Sequence, residues 1–128
     1  MSNVKDKNWL YWLLTFIAAA TALSGLVQML APRFILNIIG GELAPGNLHS
    51  FAIVGMFMLL FGSLLLNALL SHQHHPLSVF WSALQKFGAF VAVAIGVNKG
   101  LFTDIAWAVA LFDLASSGLL ICYWNKIR

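Results

Sequence analysis

The sequence predicts an all-α membrane protein: an antiparallel bundle of four transmembrane helices with a short interfacial helix after span one. Three observations lead there. Of 128 residues, 61% are hydrophobic and 9% charged, against roughly 25% charged in soluble domains, and a soluble chain this small has too little interior to hide so many apolar side chains. The apolar residues gather into four stretches, each near the ~20 residues a helix needs to cross a bilayer. Four crossings take about 80 residues and leave roughly 48 for ends and turns, so residues 1–128 form a single integral membrane domain.

Span one covers about residues 9–30. Lys5 and Lys7 ahead of it, and Ala18-Ala19-Ala20 within it, resemble a signal peptide, but the run continues unbroken for longer than a signal's apolar region and reads as a retained span. Ala31-Pro32-Arg33 ends it, because proline resists helix continuation. Pro32 to Ile39, with proline at its start and Gly40-Gly41 at its end, is expected to be a short interfacial or re-entrant helix. Residues 41–47 form a turn. Span two covers about 49–70, the polar segment Ser71 to Pro76 is a tight turn, span three covers about 77–97, and Asn98-Lys99-Gly100 leads into span four, about 101–124.

Four crossings put both termini on one side. That side carries Lys5, Lys7, Lys126 and Arg128, while the other carries Arg33 and Lys99, so both termini are expected in the cytoplasm. Trp9, Tyr11, Trp12, Trp81, Tyr123 and Trp124 would then line the cytoplasmic interface, where amphipathic rings prefer to sit, and Trp107 the outer one.

The informative residues are those that lipid does not tolerate. Lys86 and Asp113 lie deep in spans three and four. They are equidistant from the hairpin tip at Lys99-Gly100, so antiparallel pairing sets them at equal depth as an ion pair. The same mirror about the His74 turn brings Ser63 of span two beside Gln85 and Lys86, and counting inward from Trp9 brings Thr21 level with Asp113. Spacings of three and four place Asp113 on one small, polar face with Thr103, Ala106, Ala110 and Ser117. Span three carries a comparable face of Ser82, Gln85, Ala89, Ala92 and Gly96, with Lys86 at its edge. Ala18, Thr21, Gly25 and Gln28 of span one, and Ala52, Gly55 and Gly62 of span two, continue the pattern. These faces are expected to pack inward, and Phe80, Leu84, Phe87, Val91 and Ile95 to meet lipid. Two readings of the layer stay open: a structural clamp that sets helix register, and a proton-relay or ligand site formed by Lys86, Asp113, Gln85, Ser117, Thr21 and Ser63.

A second candidate set, Arg33, Asn37, Glu42, His49 and Asp104, gathers at the outer mouth, where Glu42 and His49 flank a long Gly/Pro-rich connection. Snorkelling of Arg33 and ordinary interface polarity explain the same residues. His72, His74 and His75 are imidazoles on a short turn without a fourth ligand, so no metal site is assigned. Cys122, the lone cysteine, permits no internal disulfide, and a packing role is expected for it rather than acylation. The basic residues are scattered along span ends, which argues against nucleic acid. No Walker loop, GxGxxG, HExxH or GxSxG motif occurs, and no span holds histidines at haem-binding spacing.

The layout resembles the small DoxX-like four-helix bacterial membrane proteins: Ala31-Pro32-Arg33-Phe34 closing span one, Gly40-Gly41, the Phe61-Gly62 step in span two, then Lys86-Phe87-Gly88 and Asp113 in the closing hairpin. The resemblance implies a subunit of the bacterial inner membrane beside redox or quinone-linked partners. It carries over no catalytic residue, and the chain departs from the thiol-redox relatives in lacking paired cysteines. The expected function is an accessory or assembly subunit, as a homo-oligomer or with a membrane partner, holding a lipid-like or quinone-like ligand between helices. The alternatives are a proton-coupled transporter or oligomeric channel using Lys86 and Asp113, and a small enzyme acting at the outer mouth.

Overall fold

A computed structural model describes residues 7–128; Lys5, counted above among the anchoring charges, lies outside the described residues. The chain forms α1 (Trp9–Leu30), α2 (Pro32–Ile38), α3 (Pro45–Leu70), α4 (Pro76–Asn98) and α5 (Ala106–Ile127). Local chemistry sets most of these limits. Asn8 caps α1, its side-chain oxygen accepting from the Tyr11 N–H at 3.2 Å. Pro32, Pro45 and Pro76 each open a helix, where the missing N–H would have no partner in any case. Gly40 and Gly100, both at φ +75°, close α2 and α4 in Schellman fashion, with Gly41 N–H donating to Leu36 O at 2.9 Å and Leu101 N–H to Gly96 O at 2.8 Å. That left-handed turn suits glycine.

Two boundaries differ from the sequence reading. Span two begins at Pro45 rather than near His49, because Pro45 is preset for the first helical turn. At ~39 Å, α3 exceeds the ~30 Å hydrocarbon core, and its first turns carry Asn47, His49 and Ser50. The fourth long helix begins at Ala106 rather than Leu101 and continues to Ile127. Residues 101–105 are held in a turn instead, the Thr103 N–H and hydroxyl donating to Ile39 O at 2.8 and 3.1 Å. This turn is tied to the end of α2.

The four long helices form an antiparallel bundle built from two tight pairs, α1 on α3 and α4 on α5, which meet more sparsely along the α3–α4 and α1–α5 seams. Glycine makes the first pair close. A Cβ on Gly25 would lie 2.5 Å from Leu59 N, one on Gly55 2.6 Å from Met29 N, and one on Gly62 2.5 Å from Ala22 N, so the two backbones touch directly. In lipid, hydrophobic force between helices is weak and such close approach provides the association.

An apolar cluster fills each end of the bundle. At the end shared by the termini it includes Leu10, Leu14, Leu65, Leu69, Val79 and Leu120; at the far end, Leu36, Ile39 and Ala106 pack with Phe51, Val97 and Phe102. The outside is apolar as well: Phe16, Leu23, Phe57, Leu60, Phe87 and Leu111 are exposed. A surface of this kind is untenable in water, and all four long helices are long and apolar enough to cross a bilayer. The chain is a multi-pass helical membrane protein.

Several side chains depart from expectation. Tyr11 and Tyr123 are buried rather than interfacial; the Tyr11 hydroxyl donates to Leu69 O at 2.9 Å, which lets the ring enter the core. Trp9, Trp12 and Trp81 stay exposed, and Trp124 packs on Phe80 beneath the Arg128 guanidinium, 4.7 Å from its ring. The inner face of α4 is Val79, Ser82, Ala83, Lys86 and Gly96, because Val79 and Ala83 join the apolar cluster at the termini end. That rotation puts Lys86 at the centre of the face and leaves Ala92 exposed. Cys122 is exposed rather than packed.

Candidate functional site

Between the two apolar clusters lies one polar layer. The ammonium of Lys86 on α4 sits 3.3 Å from Asp113 Oδ1 of α5. The same ammonium donates to Thr21 Oγ1 of α1 and lies 5.2 Å from the centre of the Phe112 ring. Lys86, Asp113 and Thr21 are 4%, 8% and 3% exposed, which is as buried as the apolar core. Among the described residues, the backbones of α1 and α4 do not approach each other closely. Lys86 therefore bridges the diagonal of the bundle and joins one helix pair to the other.

The expected layer is confirmed at its centre and corrected at its margins. Thr21, Lys86 and Asp113 meet. Ser117 is buried on the expected face, but its hydroxyl donates to Ala83 O at 3.0 Å, fastening α5 to α4. Gln85 is only half-buried, and no hydrogen bond joins it to the pair. Ser63 is exposed: Gly62, Leu65 and Leu69 turn inward, and a residue 100° round the helix from Gly62 cannot share their face. Other interior polar groups make similar interhelix bonds, as with Gln28 Nε2 donating to Phe51 O at 3.0 Å.

Among the described residues, no ion pair joins the members of the outer-mouth set to one another. Arg33, Asn37, Glu42, His49 and Asp104 are all exposed, and among the described residues the one ion pair is Lys86 with Asp113. Glu42 does border a cleft of about 300 Å³ with Leu36, Asn47, Ser50, Phe51 and Phe102, and Asn47 Nδ2 donates to its carbonyl at 3.2 Å. His49 stands in the second turn of α3, outside that lining. At the termini end, a cleft of about 260 Å³ lies between α3 and α4, lined by Leu64, Asn67, Ala68, Ser71, His75 and Ser78. His75 Nε2 and Ser71 Oγ are 3.0 Å apart there, and His72 and His74 are exposed. Among the described residues no group of three or more His, Cys, Asp or Glu is placed to hold a metal.

Sequence reasoning passed over Ser82 as a polar group of interest. Its hydroxyl is buried and has no partner; the four-residue steps from Ser78 to Ser82 to Lys86 carried the signal. The fold and the layer together define a helical membrane protein with four long apolar helices and a buried Lys–Asp–Thr cluster between them. Compared with family models, curated proteins and solved structures, the chain matches none.

Proposed function

We propose that the protein is a small accessory or assembly subunit of the bacterial inner membrane, with both termini cytoplasmic, working as a homo-oligomer or beside a membrane partner. The observation that carries this reading is the closure of the polar layer. The intramembrane acid and base bind each other and Thr21 inside a packed bundle, which is the arrangement of an internal clamp rather than of a lined transport path. The DoxX-like layout agrees with it. The far-end cleft, with Leu36, Phe51 and Phe102 as apolar walls and Glu42, Asn47 and Ser50 as polar groups, has the composition that a lipid-like or quinone-like ligand requires.

Native mass spectrometry after gentle extraction tests the proposal. A stoichiometric partner, or a second copy of the chain, together with a retained lipid or quinone is the expected result. A bare monomer that drives pH-dependent flux in vesicles, with the flux abolished by Asp113→Asn, would overturn it in favour of a proton-coupled transporter.

A further inference from the structure

The row Ser78, Ser82 and Lys86 runs up one side of α4 in steps of four residues, ~6 Å apart along the axis. Ser78 lies in the wall of the cleft between α3 and α4 at the termini end. One turn deeper, the Ser82 hydroxyl is buried at 2% exposure and has no hydrogen-bond partner. One turn deeper again is Lys86. An ammonium carries three donors, and Thr21 and Asp113 take two of them. The ammonium also faces the Phe112 ring at 5.2 Å, and no third hydrogen bond engages it among the described residues. Buried hydroxyls are seldom left unsatisfied, and the usual partner of an orphan is an ordered water.

The setting favours water at this place. The backbones of α3 and α4 approach each other at few points, and the cleft at the mouth of their seam carries Asn67, Ser71, His75 and Ser78 on its wall. On the other side of the clamp, Ala110 and Ala106 are fully buried, and Phe102 lies against Gly96. Gln28, buried on that side, is already bonded to Phe51 O at 3.0 Å.

We infer that the cleft between α3 and α4 is the mouth of a one-sided water inlet that passes Ser78, hydrates Ser82 and ends at the Lys86–Asp113 clamp. The clamp is then in contact with the aqueous phase at the termini end and sealed from the opposite one. This inference stands apart from the accessory role, since an inlet is present or absent whatever the protein assembles with.

Thiol labelling of the full chain in membranes tests it, because a thiol reacts as its thiolate and so needs water. In a Cys122→Ala background, Ser78→Cys, Ser82→Cys, Ala110→Cys and Phe87→Cys are treated with a charged, membrane-impermeant methanethiosulfonate from either side. Ser78→Cys and Ser82→Cys should label from the termini side about tenfold or more faster than Ala110→Cys, beyond the clamp, and Phe87→Cys, on the lipid face. Adding Ser78→Phe should slow the labelling of Ser82→Cys by a similar factor. If Ser82→Cys labels no faster than Ala110→Cys, or if Ser78→Phe leaves its rate unchanged, the inlet does not exist. Should Ser82→Cys fail to fold, amide hydrogen exchange of the unmodified protein decides: faster exchange at 82–86 than at 107–110 supports the inlet, and equal protection overturns it.

Discussion

Replacing Lys86 with Met and Asp113 with Leu, singly and together, separates a clamp from a functional pair. Each single change leaves one ionic group 4–8% exposed without its counter-ion at 3.3 Å, and breaking a buried pair from one side costs about 3–5 kcal/mol. Lys86→Met also strips Thr21 of its donor, so it should be at least as costly as Asp113→Leu. The double change removes both charges and leaves side chains of comparable volume, which places it within ~1 kcal/mol of the unmodified protein or above it. The coupling between the sites is then on the order of 4 kcal/mol or more, far beyond the ~0.3–0.5 kcal/mol scatter of independent mutations. Reversible unfolding in bicelles, followed by a probe of α1–α4 separation, measures all four corners of the cycle. A double variant as unstable as the worse single would refute the clamp.

Other outcomes follow from the same geometry. Thr21→Val should cost about 1.5–3 kcal/mol, the range for a hydrogen bond to a charged group, and Thr21→Ser much less; equal stability of Thr21→Val and the unmodified protein in the same bicelle assay would remove Thr21 from the clamp. Gly62→Ala should lose on the order of 3 kcal/mol, because the new methyl would meet the Ala22 backbone at 2.5 Å. Gly118→Ala, where nothing lies within 4 Å, should stay within about 0.5 kcal/mol, and a comparison of thermal denaturation for the two would expose any error in the α1–α3 contact. Gly100→Ala places a Cβ at φ +75° and should cost about 1–2 kcal/mol, read as a lowered melting temperature.

The depth of the site was legible because depth needs only counting. Lys86 and Asp113 mirror each other about the Lys99-Gly100 turn, and Thr21 falls level with them by its distance from Trp9. Angular phase was harder to read. Ser63 has the right depth and the wrong azimuth, since Gly62 has to face α1 for the two backbones to touch, and that carries Ser63 outward. Small residues alone place Lys86 at the edge of the inner face of α4, but the larger Val79 turns inward too and brings Lys86 to the centre. In lipid both faces of a helix are apolar, so hydropathy gives no phase. The prolines are boundary signals of equal weight: Pro45 marks the start of α3 as surely as Pro32 marks that of α2.

A polar clamp at this place has a physical rationale that an apolar seam would lack. Within each helix pair, small residues bring backbones together and the pair holds by contact, as Gly25, Gly55 and Gly62 show. Between the pairs the backbones approach each other at few points, and apolar side chains there gain little in register because acyl chains solvate leucine as well as another helix does. An apolar seam would also tolerate sliding by a turn, since one row of apolar side chains resembles the next. A single ammonium that must reach both Thr21 and Asp113 permits one register, because a shift of one turn, ~5.4 Å, breaks both bonds at once. The clamp thus adds register to a contact that lipid leaves unspecified. Its cost is an ionic pair 4–8% exposed inside the bundle, which loosens the helices as soon as either partner is lost.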